Sequence, residues 1–353
     1  MGSAKNLGQN LDQNLGQNLD RYARQSIFNK IGKDGQKKLQ ESKVTIIGVG
    51  ALGTVSVNNL CRAGIGHLRF VDRDYVELTN LQRQVIFTEN DAKERLPKAI
   101  AAYNYLSKVN SEITLEPIVS DVNPGNVEDL VKDSDLVLDA TDNFEIRLLL
   151  NEACHKNKIP WIYGGALGSI GMTLNILGED GPCLACFMNE NSGSSHTCST
   201  FGVMSMVTNV VSSIQSAEAI KILLKSEDVR KNMLSIDLWG NSYDTVELSK
   251  NEDCPVCVHG KYPRLTERKG AYTTSICATD SIQVVPTRPI KPDFVMLAER
   301  LKKVGEVRQN PYTLTFSDDK YEFVLFQDGR AMIKNAIDEN NAKSVYMEYI
   351  GMQ

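Results

Sequence analysis

Three glycines at the end of an apolar run form a pattern that is typical of phosphate binding. The run Val44–Gly53 reads Val-Thr-Ile-Ile-Gly-Val-Gly-Ala-Leu-Gly. Gly48, Gly50 and Gly53 have the G-x-G-x-x-G spacing at which a buried parallel strand turns into a helix. Glycine lets the backbone approach a phosphate, and the first N–H groups of the helix attract the anion. Asp72 ends a second strand, where a carboxylate would hold a ribose hydroxyl. These residues predict a nucleotide site, but the spacing alone serves NAD, FAD and ATP alike.

A polar segment follows Asp72 at the point where a dehydrogenase would proceed to its next helix. It carries Asn80, Arg83 and Gln84, and an arginine can bind phosphate oxygens in a bidentate manner. Lys98 follows Pro97 at the start of a helix, where a lysine opposes the helix dipole unless an anion lies nearby. These side chains favour a triphosphate, although an ordinary surface turn is the alternative for the segment around Arg83.

Asp142 lies between the strand Asp135–Asp139 and the helix Phe144–Lys156. Ligands of open α/β sheets bind at the carboxyl ends of the strands, so we expect Asp142 at the same edge as the glycine turn. A carboxylate that faces a triphosphate is a natural Mg²⁺ ligand, directly or through water. Capping of the following helix is the alternative role for Asp142.

Four of the eight cysteines form two C-x-x-C pairs, which are Cys183 with Cys186 and Cys254 with Cys257. Two such pairs can complete a closed tetrahedral site for a structural Zn²⁺ ion. A redox dithiol is the alternative, but a redox C-x-x-C normally occurs singly and at the start of a helix. We therefore expect a zinc site that stabilises the fold and takes no part in catalysis.

Cys198 lies outside both pairs, in a segment rich in Gly, Ser and Asn that precedes the apolar helix Val203–Leu224. The start of a helix can lower the pKa of a thiol and favour the thiolate. A thiol on a flexible loop suits an acyl acceptor or a sulfur relay. An incidental cysteine is the alternative.

Length and composition limit the remaining possibilities. At 353 residues the chain is expected to form about two domains, and its 42% hydrophobic and 24% charged residues are ordinary for a globular protein. The net charge of −5 argues against nucleic acid as a partner, because phosphate-backbone affinity needs clustered Lys and Arg. No apolar run reaches the roughly 18 residues that span a bilayer, and the polar start has no signal-peptide core. We expect a cytoplasmic protein without a membrane anchor.

The elements that must position these residues are strands alternating with helices, followed by a change of composition near the end. This order predicts an α/β fold with a Rossmann-like, mostly parallel sheet, helices on both of its faces and the Cys₄ zinc site. Residues 1–20 are expected to be a disordered leader or an artificial tail. The predicted divisions are an ATP-binding domain at 21–260, a linker at 261–288 and a small C-terminal α+β domain at 289–353.

The order of these motifs resembles the MoeB/ThiF family of ubiquitin-activating-like adenylyltransferases, over roughly residues 21 to 260. In that family the C-terminal glycine of a small β-grasp sulfur carrier protein, of the MoaD or ThiS type, attacks the α-phosphate of MgATP. The products are an acyl-adenylate and pyrophosphate. The carrier is thereby prepared for thiocarboxylate formation in molybdopterin or thiamine biosynthesis, with sulfur from a donor such as a cysteine desulfurase or a separate rhodanese.

The resemblance also implies roles for individual residues. Arg24 matches an arginine that reaches the γ-phosphate from the other subunit, which implies a homodimer. Cys198 matches a loop cysteine that some members link covalently to the carrier. The implied catalytic residues are Arg24, Arg83, Lys98, Asp142 and Cys198, and the implied nucleotide ligands are Gly48, Gly50, Gly53, Asp72, Asn80, Arg83, Gln84, Lys98 and Asp142.

Two other functions remain open at this point. A nicotinamide-dependent oxidoreductase would use the glycine turn and Asp72, but it would leave Arg83, Lys98 and the four-cysteine site without a purpose. The second function is a non-catalytic scaffold that docks the carrier. A scaffold would not need the catalytic side chains, yet the chain has Arg24, Arg83, Lys98 and Asp142.

Overall fold

Two β-sheets, both flanked by helices, make up the described part of the chain. The computed structural model describes residues 21–178, 181–188, 202–266, 272–276, 281–286 and 290–351. The leader expected at residues 1–20 lies outside the described residues. Among those that are described, no helix is both long enough and apolar enough to cross a membrane.

The first sheet has eight strands, which we number in chain order. They are β1 (Lys43–Ile47), β2 (His67–Asp72), β3 (Thr114–Val119), β4 (Leu136–Asp139), β5 (Trp161–Leu167), β6 (Ile170–Ile176), β7 (Met233–Asp237) and β8 (Ser242–Val246). The second sheet has six strands, β9 (Tyr272–Ile276), β10 (Ser281–Val285), β11 (Glu306–Gln309), β12 (Thr313–Ser317), β13 (Glu322–Phe326) and β14 (Ala331–Lys334).

The helices connect and cover these strands. They are α1 (Ala23–Ile27), α2 (Gly32–Glu41), α3 (Ala51–Ala63), α4 (Glu89–Lys93), α5 (Lys98–Val109), α6 (Val127–Val131), α7 (Phe144–Lys156), α8 (Ser205–Leu223), α9 (Pro263–Thr266), α10 (Phe294–Leu301) and α11 (Glu339–Tyr349). Short 3₁₀ turns lie at Leu78–Asn80 and Leu184–Cys186.

The first sheet has the order β3-β2-β1-β4-β5-β6-β7-β8. The first five strands of this order, from β3 through β2, β1 and β4 to β5, pair in parallel. Strands β6, β7 and β8 extend the sheet with antiparallel pairing. Val44 of β1 pairs with Leu68 on one side and with Leu136 on the other, so the strand order reverses beside β1. A ligand crevice is expected at the carboxyl ends of β1 and β4, where the order reverses. The predicted Rossmann-like, mostly parallel fold is confirmed.

Strand β1 is buried on both faces, which explains its mostly apolar sequence. Its one buried polar side chain is Thr45, whose Oγ1 lies 2.7 Å from Ser134 Oγ. Val44 and Ile46 pack with Leu60 and Leu106 from the helices on one face. Ile47 packs on the other face, in the core that contains Leu148 of α7. Successive side chains of a strand point to opposite faces, so a sheet covered by helices on both sides favours apolar residues along the whole strand.

The C-terminal sheet is antiparallel, with the order β11-β12-β13-β14-β10-β9. Apolar residues of α10 and α11 share a core with Phe316 and Phe323 on one face of this sheet. On the other face, Phe326 packs with Tyr75 of the first domain. The Asp328-Gly329 turn joins β13 to β14, with Gly329 at a φ of +84°.

The prediction of a linker at residues 261–288 is wrong in part, because this stretch contains helix α9 and strands β9 and β10. Strand β10 pairs with β14 and β9 adds an edge to the same sheet, so these segments belong to the C-terminal domain. Their Thr, Ile and Val residues favour strands. Scattered charges, Thr and Pro residues suggested a linker here. Gln283 of β10 is polar as well, yet its side chain is buried.

Candidate active site

The three predicted glycines form the turn between β1 and α3, and the structural reasons for them differ. Gly48 has a φ of +93°, and a Cβ on it would lie 2.6 Å from the carbonyl oxygen of Ala140. A Cβ on Gly53 would lie 2.0 Å from the carbonyl oxygen of Gly48. The nearest described atom to a Cβ on Gly50 would be Gln84 Nε2, at 3.9 Å. Packing within the chain explains Gly48 and Gly53, whereas the small size of Gly50 leaves space for a ligand.

The start of α3 faces this space with backbone N–H groups. Gly50 is the N-cap residue and therefore offers no side-chain cap. The first N–H groups of a helix have no partner within the helix, and the helix dipole makes this end electropositive. Helix α8 holds α3 in place, because Ser212 Oγ donates a hydrogen bond to Leu52 O at 2.9 Å. The arrangement can bind an anion such as a nucleotide phosphate.

Asp72 lies directly beside the glycine turn. Its Oδ2 accepts a hydrogen bond from Val49 N at 2.6 Å, and its Oδ1 accepts one from Asp74 N at 2.7 Å. Burial raises the pKa of Asp72, although Lys98 acts in the opposite direction. Each carboxylate oxygen can accept a further hydrogen bond, so Asp72 can hold the turn and still bind a ribose hydroxyl.

Lys98 is buried at the start of α5 and pairs with a carboxylate. Its Nζ donates to Asp74 Oδ2 at 3.0 Å. Burial disfavours the charge, but Asp74 and Asp72 together raise the pKa of Lys98 above its usual value. A lysine at the start of a helix needs an anion nearby, and the carboxylate of Asp74 is one such anion. Lys98 lies at the same sheet edge as Asp72.

In the polar segment after Asp72, some side chains hold the local fold and others have hydrogen-bonding groups without a partner in the part of the protein that the structure describes. Asn80 Oδ1 accepts a hydrogen bond from Glu77 N at 3.0 Å and so caps the 3₁₀ turn. Gln84 is buried beside Gly50, and its Oε1 has no hydrogen-bond partner in the described part of the chain. Arg83 donates to Thr79 O at 2.9 Å, and no carboxylate among the described residues pairs with it. Arg83 and Gln84 therefore keep hydrogen-bonding capacity for a ligand.

Asp142 is exposed and does not cap the helix that follows it. Asn143 is the N-cap of α7, because its Oδ1 accepts hydrogen bonds from Glu145 N at 2.9 Å and Ile146 N at 3.3 Å. The alternative role considered for Asp142 is therefore excluded. Its charge contributes to the raised pKa values of Lys98 and Arg73.

A buried ion pair that the sequence analysis missed holds the loop before Asp142. Arg147 Nε lies 3.2 Å from Asp139 Oδ2, and its Nη2 donates to Thr141 O at 2.6 Å and to Gly164 O at 3.1 Å. Burial raises the pKa of Asp139, and Arg147 acts against this shift. The sequence does contain a signal for this pair, which is an acid at the end of a strand followed by an arginine one turn into the next helix.

Arg24 lies at the far end of α3 from the glycine turn of its own chain. The neighbouring Gln25 donates from Nε2 to Ala63 O at 2.9 Å, and Ala63 is the last residue of α3. The 13 residues of α3 span about 20 Å at 1.5 Å per residue. Arg24 is exposed and is not brought together with the other predicted site residues within one chain.

The four cysteines of the C-x-x-C pairs come together as predicted. The Sγ atoms of Cys183, Cys186, Cys254 and Cys257 all lie within 4.8 Å of one another. Tetrahedral bonds of about 2.3 Å to zinc would separate the sulfurs by about 3.8 Å, so the cluster fits such an ion. Asn151 of α7 supports it, with Nδ2 donating to Cys183 Sγ at 3.6 Å. Cys198 lies outside the described residues.

Parallel strands whose order reverses beside an anion-binding glycine turn define the class of nucleotide-binding α/β proteins. Comparison with known families narrows this class. Residues 22–256 match the ThiF family, and the chain belongs to that family. The predicted family is confirmed, and membership decides against the nicotinamide-dependent oxidoreductase.

Several relatives are similar over most of their length. The sulfur carrier protein ThiS adenylyltransferase of Bacillus subtilis is 39% identical over 334 residues, which are 94% of this chain and 99% of the relative. The molybdopterin-synthase adenylyltransferase of Escherichia coli is 34% identical over 239 residues, or 67% of this chain and 95% of the relative. These names agree with the predicted enzyme class, adenylyltransferase.

A solved structure has the same fold. The crystal structure of Escherichia coli MccB with ATP aligns with a TM-score of 0.59 and 25% identity, over 67% of this chain and 74% of that chain. The match to the Bacillus subtilis relative covers far more of this chain than the family match, and it includes the C-terminal domain. The C-terminal domain is therefore shared with a relative.

Proposed function

We propose that this protein uses ATP to adenylate the C-terminal glycine of a small ubiquitin-like sulfur carrier protein. The observation that carries the proposal is the open turn at Gly50, with Asp72 and Gln84 beside it. Four features support nucleotide binding here. These are the open N-terminus of α3 at Gly50, the ribose-type carboxylate Asp72, the uncommitted guanidinium of Arg83 and the free carboxylate of Asp142. Family membership and the names of the relatives support the same chemistry.

The reaction requires positioning and charge stabilisation more than covalent help. The carrier carboxylate attacks the α-phosphorus of ATP, the bond to the leaving pyrophosphate breaks, and an acyl-adenylate forms. Asp72 accepts the ribose hydroxyls, and the N–H groups after Gly50 bind phosphate oxygens. Arg83 and Lys98 donate to the phosphates where the charge of the leaving pyrophosphate develops. Gln84 completes the nucleotide contacts, together with Nδ2 of Asn80, whose Oδ1 caps the 3₁₀ turn.

Asp142 is the proposed Mg²⁺ ligand. Its carboxylate is exposed and free of helix capping, and its charge contributes to the raised pKa values of Lys98 and Arg73. Carboxylate oxygens suit Mg²⁺, which usually keeps several waters and also binds substrate phosphates. When bound, the ion would neutralise phosphate charge. Asp142 would hold it, directly or through water, at the carboxyl end of β4.

The location of Arg24 favours a homodimer with shared sites. At the far end of α3, about 20 Å from its own glycine turn, Arg24 can serve catalysis only at the site of a second copy. An exposed arginine that crosses to a partner would bind the γ-phosphate there. Completion of each site by the other subunit requires a symmetric dimer.

The Cys₄ cluster is proposed to hold a structural Zn²⁺ ion. Four thiolates at this spacing give a closed site with no open coordination position, so the ion would stabilise the fold. The cluster lies beside Asn151, seven residues and about 10 Å along α7 from Phe144. Paired free thiols suit a reducing compartment, and a cytoplasmic location stays part of the proposal.

A ThiS-type carrier is the first candidate substrate, because the Bacillus subtilis relative matches nearly the whole chain, including the C-terminal domain. A MoaD-type carrier is the second, through the Escherichia coli molybdopterin-synthase adenylyltransferase. Sulfur would then come from a cysteine desulfurase or a separate rhodanese. Cys198 is proposed to act after adenylation, in acyl or sulfur transfer.

The test is incubation with MgATP and each carrier type, followed by intact-protein mass spectrometry. We expect a carrier species heavier by one AMP moiety, formed faster with the ThiS-type carrier. A carrier without its terminal glycine is the matched control and should stay unmodified. Absence of the adenylate with every carrier of either type would refute the proposed function.

A further inference from the structure

The interface between the two domains contains buried polar side chains within an apolar contact. Phe326 packs with Tyr75 of the first domain, whereas Arg330 and Gln283 are only 2% and 0% exposed. A buried cation is costly unless hydrogen bonds satisfy it. Apolar packing would join two domains at lower cost, so the contacts of Arg330 call for a specific explanation.

Arg330 and Gln283 both reach the first domain. Arg330 Nε donates to Asp328 Oδ2 at 2.6 Å, and its Nη1 donates to Gln283 Oε1 and to Arg73 O, both at 3.2 Å. Gln283 Nε2 in turn donates to Asp121 Oδ2 at 3.2 Å. The C-terminal domain therefore binds the backbone just after β2.

The peptide unit between Arg73 and Asp74 is held at both of its ends. Its carbonyl oxygen accepts the hydrogen bond from Arg330, and its N–H group donates to Asp72 Oδ1 at 2.7 Å. A peptide unit is planar, so the two ends turn together. The orientation that Arg330 imposes therefore reaches the carboxylate of Asp72.

Asp74, whose N–H group belongs to this peptide, also contacts Lys98. Asp74 Oδ2 accepts from Lys98 Nζ at 3.0 Å, and Asp74 O accepts from Lys98 N at 2.8 Å. Burial acts to raise the pKa of Asp74, but Lys98 and Arg73, with a smaller contribution from Arg330, hold it below its usual value. The charge of Arg330 is thus part of the field around the Asp74–Lys98 pair.

We propose that the C-terminal domain completes the nucleotide site through Arg330, a positioning residue that holds the Arg73–Asp74 peptide and thereby Asp72 and Lys98. This inference rests on the proposed function, because it takes Asp72 and Lys98 as ligands of ATP. Arg330 itself does not contact the nucleotide. The C-terminal domain acts on ATP affinity and not only on the stability of the chain.

The test compares MgATP binding of the full-length protein and its variants by isothermal titration calorimetry. Arg330→Met keeps the apolar stem but removes the donors, and we expect a Kd about tenfold higher. Glu322→Gln is the matched control, because it removes the interface ion pair with Arg95, at 2.5 Å, without touching Arg73. It should leave the Kd within about twofold, and Arg330→Lys should restore part of the affinity.

The outcomes separate this inference from the proposed function. An unchanged Kd in Arg330→Met, or an equal loss in Glu322→Gln, would overturn the positioning role. If Arg330→Met does not fold, Gln283→Leu replaces it, with an expected rise of about threefold or more. An unchanged Kd there would overturn the proposal as well. A wild-type protein that binds no MgATP would instead refute the proposed function, and the positioning role with it.

Discussion

Asp142 and Asn143 are adjacent at the start of α7, and their structural roles differ. Asn143 caps the helix, whereas the carboxylate of Asp142 accepts no hydrogen bond from the described residues. We predict that Asp142→Asn lowers carrier-dependent ATP–pyrophosphate exchange by at least about 100-fold, because the Mg²⁺ ligand loses its charge. The thermal midpoint should stay close to that of the wild type.

Asn143→Ala is the control for this prediction. Loss of an N-cap costs about 1 kcal/mol, so the thermal midpoint should fall by a few degrees. The exchange activity should stay within a few-fold of the wild type. Full exchange activity in Asp142→Asn would contradict the assigned role of Asp142.

The glycine turn allows a second comparison at this scale. Gly53→Ala should strongly destabilise the fold, because the new Cβ would lie 2.0 Å from Gly48 O. Gly50→Ala should cost little stability but raise the Kd for MgATP at least about tenfold, because the methyl group occupies the ligand space. Thermal melting and calorimetric titration would measure both effects. Tight ATP binding by Gly50→Ala would show that the phosphates lie elsewhere.

Local motifs predicted the glycine turn, Asp72 and the position of Lys98, because each depends on a short sequence pattern. The pairing of Lys98 with Asp74 could not be predicted in this way, since it depends on where β2 ends relative to α5. Asp142 and Asn143 are both good capping residues, so the sequence alone could not choose between them. The ligand roles of these residues stay predictions.

At the scale of elements, the Cys₄ cluster joins the segment after β6 to the segment after β8. We predict one Zn²⁺ ion per chain, measured by plasma mass spectrometry of the purified protein. Cys254→Ser should lose the ion and lower the thermal midpoint by roughly 10 °C, since structural zinc contributes several kcal/mol. Cys61 is buried outside the cluster, so Cys61→Ala should keep its zinc. A zinc-free Cys254→Ser variant of unchanged stability would show that the ion has no structural role.

Most elements of the first domain were predictable because a strand buried on both faces gives a continuous apolar run. Helix α7, for example, was predicted with the bounds that the structure shows. Strands β9 and β10 were missed, because the scattered charges, Thr and Pro residues of this stretch are typical of a linker. Gln283 is polar for a tertiary reason, which is its contact with Asp121 of the other domain.

At the scale of the whole molecule, the length of α3, about 20 Å, separates Arg24 from the glycine turn within one chain. We predict that Arg24→Ala and Arg83→Ala are each inactive alone but recover activity when subunits are mixed. Half of the dimers in a random equal mixture are mixed, and each has one intact site of two. About a quarter of wild-type exchange activity is therefore expected.

Mixing each variant with itself serves as the control and should give no recovery. An inactive mixture, after subunit exchange has been verified by native mass spectrometry, would contradict the shared site. Recovery in the mixture would separate a dimer with shared sites from a dimer that only brings two complete sites together.

The most direct measurement of the central claim is the exchange of labelled pyrophosphate into ATP in the presence of a ThiS-type or MoaD-type carrier. We predict exchange that requires the terminal glycine of the carrier and that is lost in Arg83→Ala, with the fold of the variant intact by circular dichroism. Exchange that is independent of the carrier, or that persists in Arg83→Ala, would contradict carrier adenylation at this site.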